Sequence, residues 1–172
     1  MRKLARAVGY SPGAIYLYFE TKEALLESLV EDAFDKLLEI LDDIGDQEDA
    51  VQSLRSKLRA YIDFGLRFPS HYHLAFVRRP TDLGVTRETR PHGAFVVLRK
   101  SVHRCIEAGR FSSHDVEATS QVLWSTIHGI TSLLIALPKF PWVDRESLIA
   151  EVVDNALRGL DNNADRQKEQ RK

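Results

Sequence analysis

Met1-Arg2-Lys3-Leu4-Ala5-Arg6-Ala7-Val8-Gly9-Tyr10-Ser11-Pro12-Gly13-Ala14-Ile15-Tyr16-Leu17-Tyr18-Phe19-Glu20-Thr21-Lys22 opens the chain and reads as two short helices and the start of a third. Leu4 and Val8 stand four residues apart, as do Ile15 and Phe19, so each short helix presents one apolar stripe. Gly9 falls between them, where a turn favours a residue tolerant of positive φ. Ser11 suits the N-cap of the second helix, and Pro12 its first position, where a missing N–H leaves nothing unsatisfied. That layout is a helix-turn-helix, a motif whose second helix enters the major groove of DNA.

Helical periodicity continues through the chain, and strand signals are nearly absent. Thr21 can cap a long helix to about residue 41, with Leu25, Leu26, Leu29, Val30, Ala33, Phe34, Leu37 and Leu41 apolar and Gly45 beyond its end. A helix over about 47–67 carries Val51, Leu54, Leu58, Tyr61, Ile62 and Gly65 on one face. Pro69 ends it, and Ser70 is expected to cap a short aromatic segment with Tyr72, Leu74, Phe76 and Val77. Residues 79–92, with Pro80, Gly84 and Pro91, read as a flexible loop.

A helix over about 92–108 follows, with Phe95, Leu98, Val102 and Cys105 or Ile106 inward, stopped by Gly109. Ser112 or Ser113 is the expected cap of the next helix, which runs to about residue 137. Asp144 should cap the last, where Leu148, Ile149, Val152, Val153, Ala156, Leu157 and Leu160 form a broad apolar band. The predicted fold class is therefore all-α, a helix-turn-helix head on a helical body. Three parts are expected: a head over 1–42, a body over 43–160 and a polar, disordered tail over 161–172. The first boundary falls inside the long helix, which suits mechanical coupling.

Composition fits this picture. Of 172 residues, 44% are apolar and 28% charged, an ordinary globular mixture. No apolar run approaches the roughly 18 residues of a transmembrane helix and no signal-peptide pattern is present, so a cytoplasmic location without membrane contact is expected. Residues 1–22 carry Arg2, Lys3, Arg6 and Lys22 against Glu20, a net of +3, while the whole chain carries −1. A basic head on a mildly acidic body suits a protein that meets phosphate with one end. Cys105 is the single cysteine, which excludes an intrachain disulfide, and its apolar stripe points to a buried, inert thiol.

Leu4 through Leu25 follow the pattern Leu-Ala-x-x-x-Gly-x-Ser-x-Gly-x-Ile-Tyr-x-Tyr-Phe-x-x-Lys-Glu-x-Leu. In this the chain resembles the TetR/AcrR family of one-component bacterial transcriptional regulators. A second resemblance lies downstream: Trp124-Ser125-Thr126-Ile127-His128-Gly129, preceded by 61–68 and 69–76, is similar to a ligand-binding domain subtype named for its Trp-x-x-x-His-Gly segment. Family members carry a whole helix before the point where this chain opens, so the resemblance implies a head lacking its first helix. Such a head is expected to bind DNA poorly until about one helix is restored, with Met1 an internal methionine.

On the recognition helix, Gly13 and Ala14 let backbone approach base edges, Tyr16 can meet thymine methyls or phosphate, and Leu17 offers apolar contact. Tyr18 can donate to phosphate, and Lys22 lies in the first turn of the next helix. The resemblance implies base contacts for Gly13, Ala14, Tyr16 and Leu17 and phosphate contacts for Tyr18 and Lys22, so Ser11 through Lys22 form the candidate DNA site. The plain alternative is that Tyr16 and Tyr18 only pack the head.

In the body, Tyr61, Phe64, Phe68, His73, Phe76, Phe95, Trp124 and His128 are candidates for a pocket taking an apolar or amphipathic effector. Aromatic residues at helical spacing can equally be plain core. The helix over 113–137 is apolar on more than one face, with Val116, Leu123, Ile127, Ile130 and Leu134 in one stripe and Trp124, Leu133 and Leu137 elsewhere. With the band over 145–160 it offers a surface for a two-fold four-helix bundle. A buried helix within a monomer is the alternative.

No metal-binding, phosphate-loop or nucleophile-elbow pattern occurs, and His71 and His73 are two apart, pointing about 200° from one another on a helix. Neither catalysis nor a cofactor is expected. The reading is thus a transcriptional regulator, expected to repress from a palindromic operator as a homodimer and to be released by a small molecule. The alternative is a ligand-binding or dimerisation protein whose truncated head does not bind DNA by itself.

Overall fold

The computed structural model describes residues 2–7, 9–77, 93–112 and 114–161. Its helices are α1 (Arg2–Ala7), α2 (Pro12–Tyr16), α3 (Lys22–Ile44), α4 (Ala50–Arg67), α5 (Pro69–Tyr72), α6 (Gly93–Glu107), α7 (Val116–Ala136) and α8 (Arg145–Arg158). A π-helical turn, His73–Val77, continues α5. Among the described residues the one β-type pairing is an isolated bridge between Phe111 and Asp161. The fold is all-α.

In the head, Gly9 adopts φ 74°, and Tyr10 N donates to Ala5 O at 2.9 Å, closing α1 through a left-handed glycine. Ser11 Oγ accepts from Ala14 N at 3.1 Å, so the cap read from the sequence starts α2. Thr21 Oγ1 accepts from Ala24 N at 3.0 Å and starts α3. That helix has 23 residues, about 35 Å at 1.5 Å per residue. Its buried residues, Ala33, Phe34, Leu37 and Leu41, all lie from its midpoint onward, and it packs on α4, α6, α5 and the π turn.

Helix α4 runs through the centre and packs on α3, α6, α7 and α8. Gly65 makes the α4–α7 approach possible: a Cβ there would overlap the Thr131 Cγ2 methyl and lie 2.9 Å from Tyr72 Cδ2. Leu54, Leu58, Ile62, Leu123, Leu134 and Ile149 form the centre of the core.

Several expected boundaries move. Helix α4 begins at Ala50 rather than near 47, because Asp49 Oδ1 accepts from Val51 N and Gln52 N at 2.8 and 3.2 Å. Ser70 caps nothing: α5 starts at Pro69, directly after Phe68, with no side-chain cap. Ser112 does not cap α7 either. Its backbone N–H donates to Leu160 O at 2.9 Å, tying the link between α6 and α7 to the end of α8, and Asp115 caps α7 through Ala118 N at 2.9 Å. Asp161, expected in the disordered tail, pairs with Phe111 instead. The expected loop over 79–92 and the rest of the tail lie outside the described residues.

Candidate functional site

Two regions carry the candidate residues. The first is the exposed side of the head. Ile15 and Phe19 are half-buried, whereas Leu17 and Tyr18 are 84% and 83% exposed and Tyr16 is half-exposed. Ser11 spends its hydroxyl on the cap; Gly13 and Lys22 are exposed and Ala14 is half-buried. Tyr16, Leu17 and Tyr18 thus leave the backbone where the helix unwinds, presenting rings and an isobutyl group to solvent. The head leaves a cluster of large side chains uncovered by its own protomer.

The second region is a cavity of about 300 Å³ between α3, α4, α6, α7 and the π turn. Of the sequence candidates, Tyr61, Phe76, Phe95 and Trp124 line it. Phe95 and Trp124 pack with ring centroids 5.7 Å apart, and Tyr61 and Phe76 with theirs 5.5 Å apart. Leu41, Leu58, Ala94, Val97, Leu98 and Ile127 complete the apolar wall, and Lys57, Gln121 and Ser125 bring polar groups. Phe64 is buried in the core rather than at the cavity, and Phe68 packs outside it, on Phe64, His71 and the Arg67 guanidinium. His73 is exposed.

His128 lies behind the wall. Its Nδ1 is 2.6 Å from Tyr72 Oη and 3.1 Å from Tyr61 Oη, and its Nε2 is 3.4 Å from Ser132 Oγ. A phenol keeps its proton far more readily than imidazolium, so the nearer Tyr72 hydroxyl donates to the one lone pair of Nδ1, Tyr61 Oη donates to Tyr72 Oη at 3.4 Å, and the ring carries its own hydrogen on Nε2. Trp124 Nε1 donates to Tyr61 Oη at 3.3 Å, which extends the chain of hydrogen bonds to the cavity surface. Burial lowers the His128 pKa and raises those of Tyr61 and Tyr72, so all three are held neutral. This network fixes the orientation of Tyr61 and Trp124, two rings a ligand would touch.

Sequence reasoning missed Lys57 and Tyr72 as members of this site. A signal for Lys57 existed: it precedes Tyr61 by four residues on the buried face of α4, so a charge interrupts an apolar stripe. Tyr72 was visible only as one aromatic among several. Cys105 is buried, and desolvation pushes its thiol up to about 11, so it is no nucleophile at neutral pH. Among the described residues no three His, Cys, Asp or Glu side chains are grouped to hold a metal, and no helix is long and apolar enough to cross a membrane.

Comparison with known proteins finds two family matches along the chain. Residues 1–29 match the bacterial regulatory proteins of the tetR family, and residues 54–158 match the tetracyclin repressor-like C-terminal domain. The chain belongs to the tetR family. It is thus a DNA-binding transcriptional regulator, from a family of regulators rather than enzymes that bind DNA and small-molecule effectors and dimerise.

Solved structures of tetR-family proteins share the fold. A bacterial regulatory protein in the tetR family from Rhodococcus RHA1 superposes with a TM-score of 0.72 at 21% identity, over 93% of this chain and 85% of that one. The TetR family transcriptional regulator PfmR from Thermus thermophilus gives 0.71 at 23% identity, over 94% and 88%. Among curated proteins, none matches in sequence.

Proposed function

We propose that this tetR-family regulator is a repressor released from a palindromic operator when a small apolar or amphipathic effector fills the cavity. One observation carries the reading. Phe76, a cavity-lining residue, meets Phe34 of α3 edge-on with ring centroids 5.0 Å apart. Helix α3 continues without a break to Lys22, at the foot of the recognition helix α2. An effector that shifts Phe76 therefore acts on the helix that aims the head, and a change in the separation of two heads weakens binding to grooves about 34–36 Å apart.

Within this reading residues 1–42 are the DNA-binding part and 43–160 the effector and dimer part. Gly13, Ala14, Tyr16 and Leu17 meet bases, Tyr18 and Lys22 meet phosphate, and Ser11 starts the recognition helix as its cap. The homodimer uses α7 and α8, but through a different set of side chains than the apolar bands suggested. Leu123, Ile127, Ile130, Leu134, Ile149, Val153 and Leu157 are spent on the protomer's own core. Val122 and Leu133 remain exposed on α7, followed by Leu137, Phe140 and Val143 in the link to α8. Those exposed apolar groups are the ones a second copy would cover.

The test uses a Trp142→Phe background, in which Trp124 is the single tryptophan. Compounds that quench Trp124 are found by fluorescence, and operator affinity is then read by anisotropy of a labelled duplex. A quenching compound should weaken operator binding by about tenfold, a usual coupling between sites. Quenchers that leave operator affinity unchanged would sink the proposed release mechanism.

A further inference from the structure

Lys57 is an unusual wall for an otherwise apolar cavity. It lies on α4 one turn before Tyr61, only 9% exposed, with Leu58, Phe95, Leu98 and Ile127 around the same space. Its Nζ donates to Asp46 Oδ1 at 2.9 Å and to Ser101 Oγ at 3.4 Å. An ammonium has three N–H groups, so these two bonds leave one over, on a side chain that lines the cavity. Asp46 does not neutralise this lysine alone. The same Oδ1 pairs with Arg104 Nη1 at 2.9 Å, and Asp46 is 60% exposed in its side chain.

Two cations therefore share one carboxylate, and among the described residues no second carboxylate bonds either of them. The shared load shows on Asp46, whose carboxyl is held below the usual carboxylate range by Lys57 first and Arg104 with it. A buried cation half-matched in this way leaves unbalanced positive charge at the wall of an apolar space, where an anion is worth more than in water.

We propose that the effector is an amphipathic carboxylic acid, its carboxylate bound by Lys57 Nζ and its apolar body lying along Leu58, Phe95, Trp124 and Ile127. This deepens the reading of the cavity as the effector site and rests on it. The volume bounds the ligand: at about 30 Å³ per water-sized group, 300 Å³ holds about ten heavy atoms. Of the other polar lining groups on α7, the Gln121 amide has a second N–H for an oxygen while the Ser125 hydroxyl is spent on Gln121 O, and neither carries a charge to match an amine. Bound carboxylate adds the missing negative charge, so Lys57 and Arg104 then have two carboxylates between them. It acts on α4 and, through Asp46, on the segment that joins α3 to α4.

The experiment titrates the whole chain with straight-chain carboxylic acids of about six to twelve carbons, bracketing the space for about ten heavy atoms, and with the matching primary alcohols. Calorimetry at neutral pH gives affinities, and Trp124 fluorescence in the Trp142→Phe background reports whether the cavity is filled. The acid of best-fitting length should bind at least about tenfold more tightly than its alcohol, as expected for a charge-assisted hydrogen bond in a partly dry site.

Lys57→Met keeps the volume and should abolish that preference while leaving the alcohol's affinity within about twofold. Asp46→Asn removes the competing carboxylate and should tighten the acid severalfold with no change for the alcohol, an effect that a purely structural Lys57 would not give. Equal binding of acid and alcohol, or a preference that survives Lys57→Met, overturns the proposal while leaving the cavity as the effector site. If no acid or alcohol quenches Trp124, the cavity reading itself fails, and the proposal with it.

Discussion

Phe76 and Phe34 touch edge-to-face, 5.0 Å between centroids, and this pair joins the cavity wall to the helix that carries the head. Phe34 is buried, and Phe76 also packs on Tyr61 and Tyr72, so a displacement of the π turn has to be taken up by α3. Phe34→Leu should keep most of the buried apolar volume but blunt the contact. Operator affinity without effector should stay within about threefold, and the effector-induced loss should shrink by about 1 kcal/mol, both read by anisotropy.

Gly65 is fixed by its neighbours rather than by its own backbone. Gly65→Ala should destabilise the fold by about 1–3 kcal/mol in urea unfolding, because the added methyl overlaps Thr131 Cγ2. Thr131→Ser removes that methyl and keeps the hydroxyl that donates to Ile127 O. The double variant should recover at least about half of the loss. Additive effects of the two changes would place the strain elsewhere.

His128 makes stability depend on pH. Burial sets its folded pKa below the unfolded value of about 6.5. The unfolded state therefore binds the extra proton first, and its contribution, complete above about pH 6.5, is lost as pH falls through the folded pKa. Protonation would also remove the acceptor for Tyr72. Urea midpoints should fall between about pH 6.5 and 5, and His128→Gln should flatten that decline. An equally steep profile in the variant would assign the proton uptake to another group.

Val153 and Leu133 separate folding from assembly. Val153 is 3% exposed inside its own protomer, so Val153→Asp should cost several kcal/mol of stability by burying an unpaired charge. Leu133 is 47% exposed, so Leu133→Asp should leave the helical circular-dichroism signal intact and convert dimer to monomer in light scattering at micromolar concentration. A Leu133→Asp protein that still runs as a dimer would move the interface off this face.

Much of this was legible in the sequence. Gly9, Ser11 and Thr21 announced the head because turns and caps are chosen by local chemistry, and all three act where the spacing placed them. Local signals failed where several side chains could do the same job. Asp49 and Asp115 took caps that Ser112 or residues near 47 could have supplied, because their carboxylates reach free N–H groups while the Ser112 backbone is committed to α8.

Aromatic periodicity could not divide Phe64, a core residue, from Phe95, a cavity residue, since both lie on inward stripes of their helices. The same limit hid the dimer face. An apolar band shows that a helix is buried, but only packing shows which of its residues a protomer has already used. Lys57 was overlooked because a lysine reads as surface until its helix face is known to be buried.

Lys22 should behave as a phosphate contact. Lys22→Ala should weaken specific and random DNA about equally and reduce the slope of log affinity against log salt by about 0.9. Ala14 and Tyr16 substitutions should instead change which sequence is preferred.

The central claim, a two-fold reader of DNA, is tested most directly by selecting bound duplexes from a random pool with this chain. A palindrome is predicted, with half-site centres about 10 base pairs apart or a multiple of that spacing, as two recognition helices on one dimer require. Recovery of an asymmetric motif, or of half-sites at a spacing that is no multiple of about 10 base pairs, would contradict it.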